Sequence, residues 1–171
     1  MTAILLTGHP GVGKTTAIKR ILAQLSRPVG GFYTEEVREN GRRSGFKIVT
    51  LDGRAGMLAH INIHSQNRIG PYGVDSAVVN DLAVDSIRRT TAEGRLALMD
   101  EIGPMELFSD AFCQAVMSIL RSDTPVLGTI VRRHHLVADD IKTLPNVTVI
   151  EVTIQNRDTI VDYILDKLSE N

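Results

Sequence analysis

The chain has 171 residues, enough for one domain with a substantial core, and its 19 Lys and Arg against 20 Asp and Glu leave a formal net charge of -1. That balance argues against binding nucleic acid by bulk electrostatics, which rewards clustered positive charge. The single cysteine, Cys113, excludes an intrachain disulfide or a multi-cysteine zinc cage, and 43% hydrophobic residues without tryptophan make the core aliphatic.

The apolar run Ile4-Leu5-Leu6 predicts a strand buried on both faces. A helix follows with Ile18, Ile21, Leu22 and Leu25 on one face, closed by Pro28 and Gly30-Gly31. Extended segments are expected over residues 32–37, 46–51 and 55–63, joined at Asn40-Gly41 and Asp52-Gly53, two dipeptides suited to turns of positive φ. They form an antiparallel meander, about residues 32–63, inserted in an otherwise alternating chain. Residues 65–73 read as a loop and 75–89 as a helix.

The second half alternates more plainly. Residues 96–99 form a strand, and Phe108, Phe112, Val116, Ile119 and Leu120 mark an amphipathic helix. Residues 126–131 and 147–152 are further strands separated by a short helix near 135–143. Asn156 is placed to cap a final helix bearing Ile160, Val161, Ile164, Leu165 and Leu168. Such alternation predicts a mostly parallel sheet with helices on both faces, and residues 1–171 read as one domain. No run of about 18 apolar residues occurs, and residues 3–6 are too short for a signal-peptide core. The expectation is a soluble cytoplasmic protein, and with no dimerising heptad in view, a monomer.

Gly8-His9-Pro10-Gly11-Val12-Gly13-Lys14-Thr15 matches G-x-x-x-x-G-K-[ST], with a buried strand before it and an amphipathic helix after it. The glycines let the backbone approach a phosphate, and loop and helix N–H groups form an anion nest. Lys14 is expected on the β- and γ-phosphates and the Thr15 hydroxyl on Mg²⁺. His9 and Pro10 supply shape. Leu96-Ala97-Leu98-Met99-Asp100-Glu101 is a strand ending in two carboxylates, at the sheet edge where ligands bind. Asp100 fits the acid that holds Mg²⁺, and Glu101 the general base that takes a proton from water. The nucleotide-binding set thus comprises Gly8, His9, Pro10, Gly11, Val12, Gly13, Lys14, Thr15 and Thr16, with Leu98, Met99, Asp100, Glu101, Ile102 and Gly103. Glu106 reads chiefly as an acid at a helix N-terminus.

These motifs, with Gly31-Phe32-Tyr33-Thr34-Glu35-Glu36-Val37-Arg38, Arg43-Ser44-Gly45-Phe46 and Asp100-Glu101-Ile102-Gly103-Pro104-Met105-Glu106-Leu107, give a chain that resembles the small P-loop nucleoside-triphosphatases. These are archaeal and bacterial enzymes related to the human cancer-related nucleoside-triphosphatase. Tyr72-Gly73-Val74-Asp75 and Asn156-Arg157-Asp158 also match, so the resemblance covers nearly the whole chain. Pro104 departs from it, because many members carry Lys there, and this weakens any role for a cation at that spot. The resemblance implies an α/β P-loop NTPase fold with a RecA-like core. It also implies Mg²⁺-dependent hydrolysis of ATP, GTP, CTP and UTP with relaxed base choice, the acid after the Mg²⁺ aspartate activating water.

Arg132 and Arg133 follow the strand 126–131 at the ligand edge, and either suits a cation that stabilises charge on a γ-phosphate. Arg157 follows the last strand near where a base would rest. Glu35 and Glu36 read as charges defending an edge strand, and Arg38, Arg42, Arg43 and Lys47 as a solvated hairpin. His60 and His64 have helical metal spacing on a segment that alternates as a strand, which argues against zinc. Two alternatives share the same phosphate loop: a small-molecule or nucleoside kinase, with the meander as acceptor site, and an NTP-dependent switch that needs a partner.

Overall fold

The computed structural model describes residues 3–169. β1 (Ala3–Thr7) leads through residues 8–13 into α1 (Lys14–Leu22), and β2 (Val29–Glu39), β3 (Arg42–Thr50) and β4 (Ala55–His60) form the meander. A small hairpin, β5 (Arg68–Ile69) and β6 (Tyr72–Val74), precedes α2 (Ser76–Val78), a π-helical stretch over Val79–Val84, and α3 (Asp85–Ala92). Then come β7 (Leu96–Ile102), α4 (Asp110–Leu120), β8 (Val126–Ile130), α5 (Leu136–Lys142), β9 (Val147–Glu151) and α6 (Ile160–Ser169).

All of these strands lie in one sheet, ordered β5-β6-β4-β3-β2-β7-β8-β1-β9. From β2 to β9 the neighbours pair in parallel, and from β2 outward to β5 they are antiparallel. The meander is therefore continuous with the main sheet. β2 joins the two parts because it is long: Val29 to Tyr33 pair with β7, while Phe32 to Glu39 pair with β3. Asn40 and Gly41, at φ 51° and 77°, make the turn between β2 and β3 that their sequence predicts.

Successive side chains of the central strands point to opposite faces, and both faces are covered. Ile4, Leu6, Leu98 and Leu127 pack against Ile18 and Ile21 of α1 and Ile160, Val161 and Ile164 of α6. Leu5, Ala97, Met99 and Val126 pack against Val84 and Ile87, against Phe112, Val116 and Ile119 of α4, and against Ile141 of α5. Ile48, Leu58 and Ala59 of the meander belong to this second cluster, and Phe32 meets Phe112 edge to face at 5.8 Å. Each fully buried aliphatic side chain contributes about 1.5–3 kcal/mol.

Several boundaries differ from expectation. α1 ends at Leu22, so Leu25 lies beyond it, and Gly30 and Gly31 lie within β2, paired with Ala97 and Leu98. The expected loop 65–73 holds β5 and the first two residues of β6, with Gly70-Pro71 as the turn between them. Phe108 lies in a 3-10 turn, Glu106–Phe108, and α4 is capped by Ser109, whose Oγ accepts from the Phe112 N–H at 3.0 Å. The Asn156 side chain does not cap α6. It turns back to the preceding loop, where Nδ2 donates to Glu151 O and Oδ1 accepts from the Thr153 N–H, both at 2.8 Å.

Candidate active site

The carboxyl ends of β1, β7, β8 and β9 bring together residues 8–13, Asp100 with Glu101, residues 131–135 and residues 152–157. Gly8, Gly11 and Gly13 have φ of 144°, 76° and 114°, a conformation suited to glycine, and the Val12 N–H closes the loop on His9 O at 3.2 Å. Gly13 is the N-cap of α1 and has no side chain to satisfy the first turn, which also lacks an acid. The loop and helix terminus therefore present N–H groups to an external anion. Lys14 Nζ folds over the loop and donates to Gly8 O at 3.1 Å and His9 O at 3.3 Å.

Asp100 and Glu101 lie inside β7, not beyond its end. The pairing of β7 with β8 slips between Met99 and Ile102: Met99 opposes Gly128, but Ile102 opposes Ile130. This inserts one extra residue where the two carboxylates stand, and such a bulge re-aims side chains that would otherwise alternate. Asp100 is buried, and its Oδ1 accepts a 2.6 Å hydrogen bond from Thr129 Oγ1. Its Oδ2 is buried and has no hydrogen-bond partner of ordinary geometry among the described residues. Burial raises the Asp100 pKa, while the Thr129 and Thr15 hydroxyls and the Lys14 charge oppose the shift. A buried carboxylate oxygen without a donor, with a threonine hydroxyl and a lysine near it, suits a hard divalent cation carrying phosphate. Thr15 and Asp100 thus fit Mg²⁺.

Glu101 also has its pKa raised, first by burial and then by the charge of Asp100, with Lys14 opposing. Glu106 stands behind it. It is 4% exposed, and burial, followed by the Glu101 charge, pushes its pKa up to about 8. Glu106 does open the 3-10 turn as its N-terminal acid, as its sequence suggests, but it is buried against Glu101 instead of facing solvent. Gly103 separates the two. A Cβ on Gly103 would fall 2.9 Å from both Glu101 Cγ and Glu106 Oε2, so any larger residue there would displace at least one of them.

Arg132 and Arg133 differ in their partners. Arg132 Nε donates to Glu151 Oε1 at 3.1 Å, spanning from the end of β8 to β9, and both side chains are about half exposed. Arg133 is exposed with no ion-pair partner among the described residues. Arg157 passes over the phosphate loop, its Cδ 3.7 Å from where a Gly13 Cβ would sit.

Other candidates are committed elsewhere. Glu35 pairs with Lys47 at 2.8 Å, and Glu36 with Arg38 and Arg43 at 2.7 and 2.9 Å. Arg43 stacks 5.2 Å over Phe46, and His60 Nδ1 accepts from the Asn62 N–H at 3.2 Å. Burial pushes the Cys113 thiol up, which suits a packing residue. The sequence reading missed Thr129. Its signal was a hydroxyl in the otherwise apolar strand Val126–Ile130, where a buried polar group requires a partner.

A family model described as NTPase matches residues 3–165. A protein named nucleoside-triphosphatase THEP1 from Thermotoga sp. (strain RQ2) is 43% identical over 168 residues, covering 98% of this chain and 96% of its own. The crystal structure of THEP1 from the hyperthermophile Aquifex aeolicus superposes with a TM-score of 0.89 at 38% identity, covering 98% of this chain and 99% of that one. The solution structure of a human cancer-related nucleoside triphosphatase gives a TM-score of 0.85 at 37% identity, covering 100% and 99%.

Proposed function

The chain belongs to the NTPase family, and on that premise we propose that it hydrolyses nucleoside triphosphates of more than one base to diphosphate and phosphate in a Mg²⁺-dependent reaction. It is a nucleoside-triphosphate hydrolase with a P-loop α/β fold. The observation that carries the residue assignment is the pairing of an unpartnered buried Asp100 Oδ2 with Glu101 across from the Lys14 loop.

The loop N–H groups and the N-terminus of α1 bind the phosphates. Lys14 leaves Gly8 O and His9 O and moves to the β- and γ-phosphate oxygens. Thr15 and Asp100 would hold Mg²⁺, which when bound offsets charge on those oxygens. Glu101, a carboxylate that burial makes more basic, takes a proton from the attacking water. As the new P–O bond forms, the bond from the γ-phosphorus to the bridging oxygen breaks, and the diphosphate leaves with the electron pair. Arg133 has no ion-pair partner to give up and is the arginine assigned to the charge that builds on the γ-phosphoryl oxygens, whereas Arg132 is engaged by Glu151.

The meander shares its core with the helices behind the parallel strands, which supports one domain acting as a unit. Among the described residues, no helix is long and apolar enough to cross a membrane. Phosphate release from ATP, GTP, CTP and UTP, with Mg²⁺ and with excess chelator, tests the proposal. Release from several nucleotides, lost on chelation and in Lys14→Ala, is expected; binding without release would contradict hydrolysis by the isolated chain.

A further inference from the structure

The phosphate loop follows β1, which lies between β8 and β9 in the sheet. Asp100 and Glu101 lie on the β8 side of it, in β7, so the γ-phosphate end of a bound nucleotide points that way. The β9 side is left for the other end. There a cleft of about 420 Å³ runs from the loop itself, residues 9–12, to residues 151–155 and Arg157. Its size is that of a small-molecule site. Ile154 stands 71% exposed on its wall, with Val12 and Val152 among its lining residues.

The loop after β9 is braced from within. Besides the two bonds made by the Asn156 side chain, the Asn156 N–H donates to Thr153 Oγ1 at 3.3 Å and the Arg157 N–H to Thr153 O at 3.0 Å. Glu151 O, Thr153 N–H and Thr153 O are thus all consumed internally. These three main-chain groups along the cleft are therefore not free to read the edge of a base. Asp158 pairs with Arg20 at 3.5 Å, while the neighbouring Arg157 guanidinium has no ion pair among the described residues. Its stem lies over Gly13, which sets a flat cation beside the cleft.

We infer that this cleft is the nucleobase subsite, in which the base lies against Ile154 and stacks on the Arg157 guanidinium, gripped chiefly by its faces. The inference rests on the nucleotide reading above. All four bases offer a similar flat face and differ at their edges, so a site that holds faces discriminates weakly. The guanidinium plane stacked on the base and an aliphatic side chain beside it supply that grip without a fixed hydrogen-bond pattern.

The test is calorimetric binding of ADP, CDP and inorganic pyrophosphate, each with Mg²⁺, to wild type, Ile154→Ala, Arg157→Leu and Arg157→Lys. The reading is the ratio of nucleotide affinity to pyrophosphate affinity. In all three variants that ratio is expected to fall about fivefold or more, by similar factors for ADP and CDP. Arg157→Lys keeps the charge and loses the plane, so it should behave like Arg157→Leu. An unchanged ratio, or a lysine variant that behaves as wild type because the cation serves phosphate, would overturn the subsite. Binding does not depend on turnover, so a wild type that shows the ratio but releases no phosphate would contradict the hydrolase reading alone.

Discussion

Thr129 Oγ1 donates a 2.6 Å hydrogen bond to Asp100 Oδ1 across the β7–β8 pair, which turns the second carboxylate oxygen, Oδ2, into the unpartnered one. The bond favours the charged form of this carboxyl and opposes the upward pKa shift that burial imposes on it. Thr129→Val removes the hydroxyl at nearly constant shape. Groups that orient a metal-binding carboxylate typically matter 10- to 100-fold for metal affinity. A Mg²⁺ titration of phosphate release should show a half-saturation point shifted upward by about that factor, with turnover recovering at high Mg²⁺. Thr129→Ser should behave as wild type. A Mg²⁺ requirement unmoved in Thr129→Val would remove Thr129 from the account.

Glu106 couples stability to pH. Its pKa rises from an ordinary 4.5 to about 8 on folding. The stability it contributes is full below pH 4.5 and is lost as pH rises towards 8, because the unfolded chain then gives up a proton that the folded chain retains. The loss is at most about 1.4 kcal/mol per pH unit. Glu106→Gln carries no titrating proton. Its melting temperature should gain on wild type between pH 5 and pH 8 and hold that gain at higher pH. Parallel melting curves across the range would show that Glu106 is not buried as a neutral acid.

Gly103→Ala places a methyl group 2.9 Å from both Glu101 Cγ and Glu106 Oε2. Glu106 is fully packed, so the shift falls on Glu101. A displacement of about 1 Å at a reacting group costs on the order of 100-fold. We expect kcat to drop about 10- to 100-fold while nucleotide affinity, set by the loop, changes little. An unaltered kcat would mean that Glu101 works without a fixed position.

The two arginines after β8 should separate kinetically. Arg132→Ala gives up an exposed ion pair with Glu151, of a kind worth about 0–1 kcal/mol. Arg133→Ala removes the unpaired cation and should lower kcat by about tenfold or more without raising the nucleotide dissociation constant in step. Equal kcat values for the two variants would leave neither as the charge-stabilising residue.

The phosphate loop and the alternating strands were legible because one rests on a fixed residue pattern in a strand–turn–helix setting and the others on uninterrupted apolar runs. What escaped was decided across the sheet. Gly30 and Gly31 read as breakers, yet pairing with Ala97 and Leu98 keeps them in β2. Asp100 and Glu101 read as the end of a strand, yet β7 runs on to Ile102 through a bulge that only the β8 partner reveals. Thr129 was invisible as a site residue for a related reason, since it lies far along the chain from Asp100, and nothing local in the sequence tells that the nearby acid Glu106 is buried. Asn156 shows a local version, since a good capping residue spends its side chain on the loop before it.

Glu101→Gln is the most direct test of the mechanism. It keeps the shape of a half-buried side chain and removes its capacity to take a proton. Single-turnover phosphate release, measured beside calorimetric binding of the same nucleotide, should show binding within a few-fold of wild type and a cleavage rate lower by about 100-fold or more. Cleavage at the wild-type rate with binding intact would contradict the assignment of Glu101 as the base.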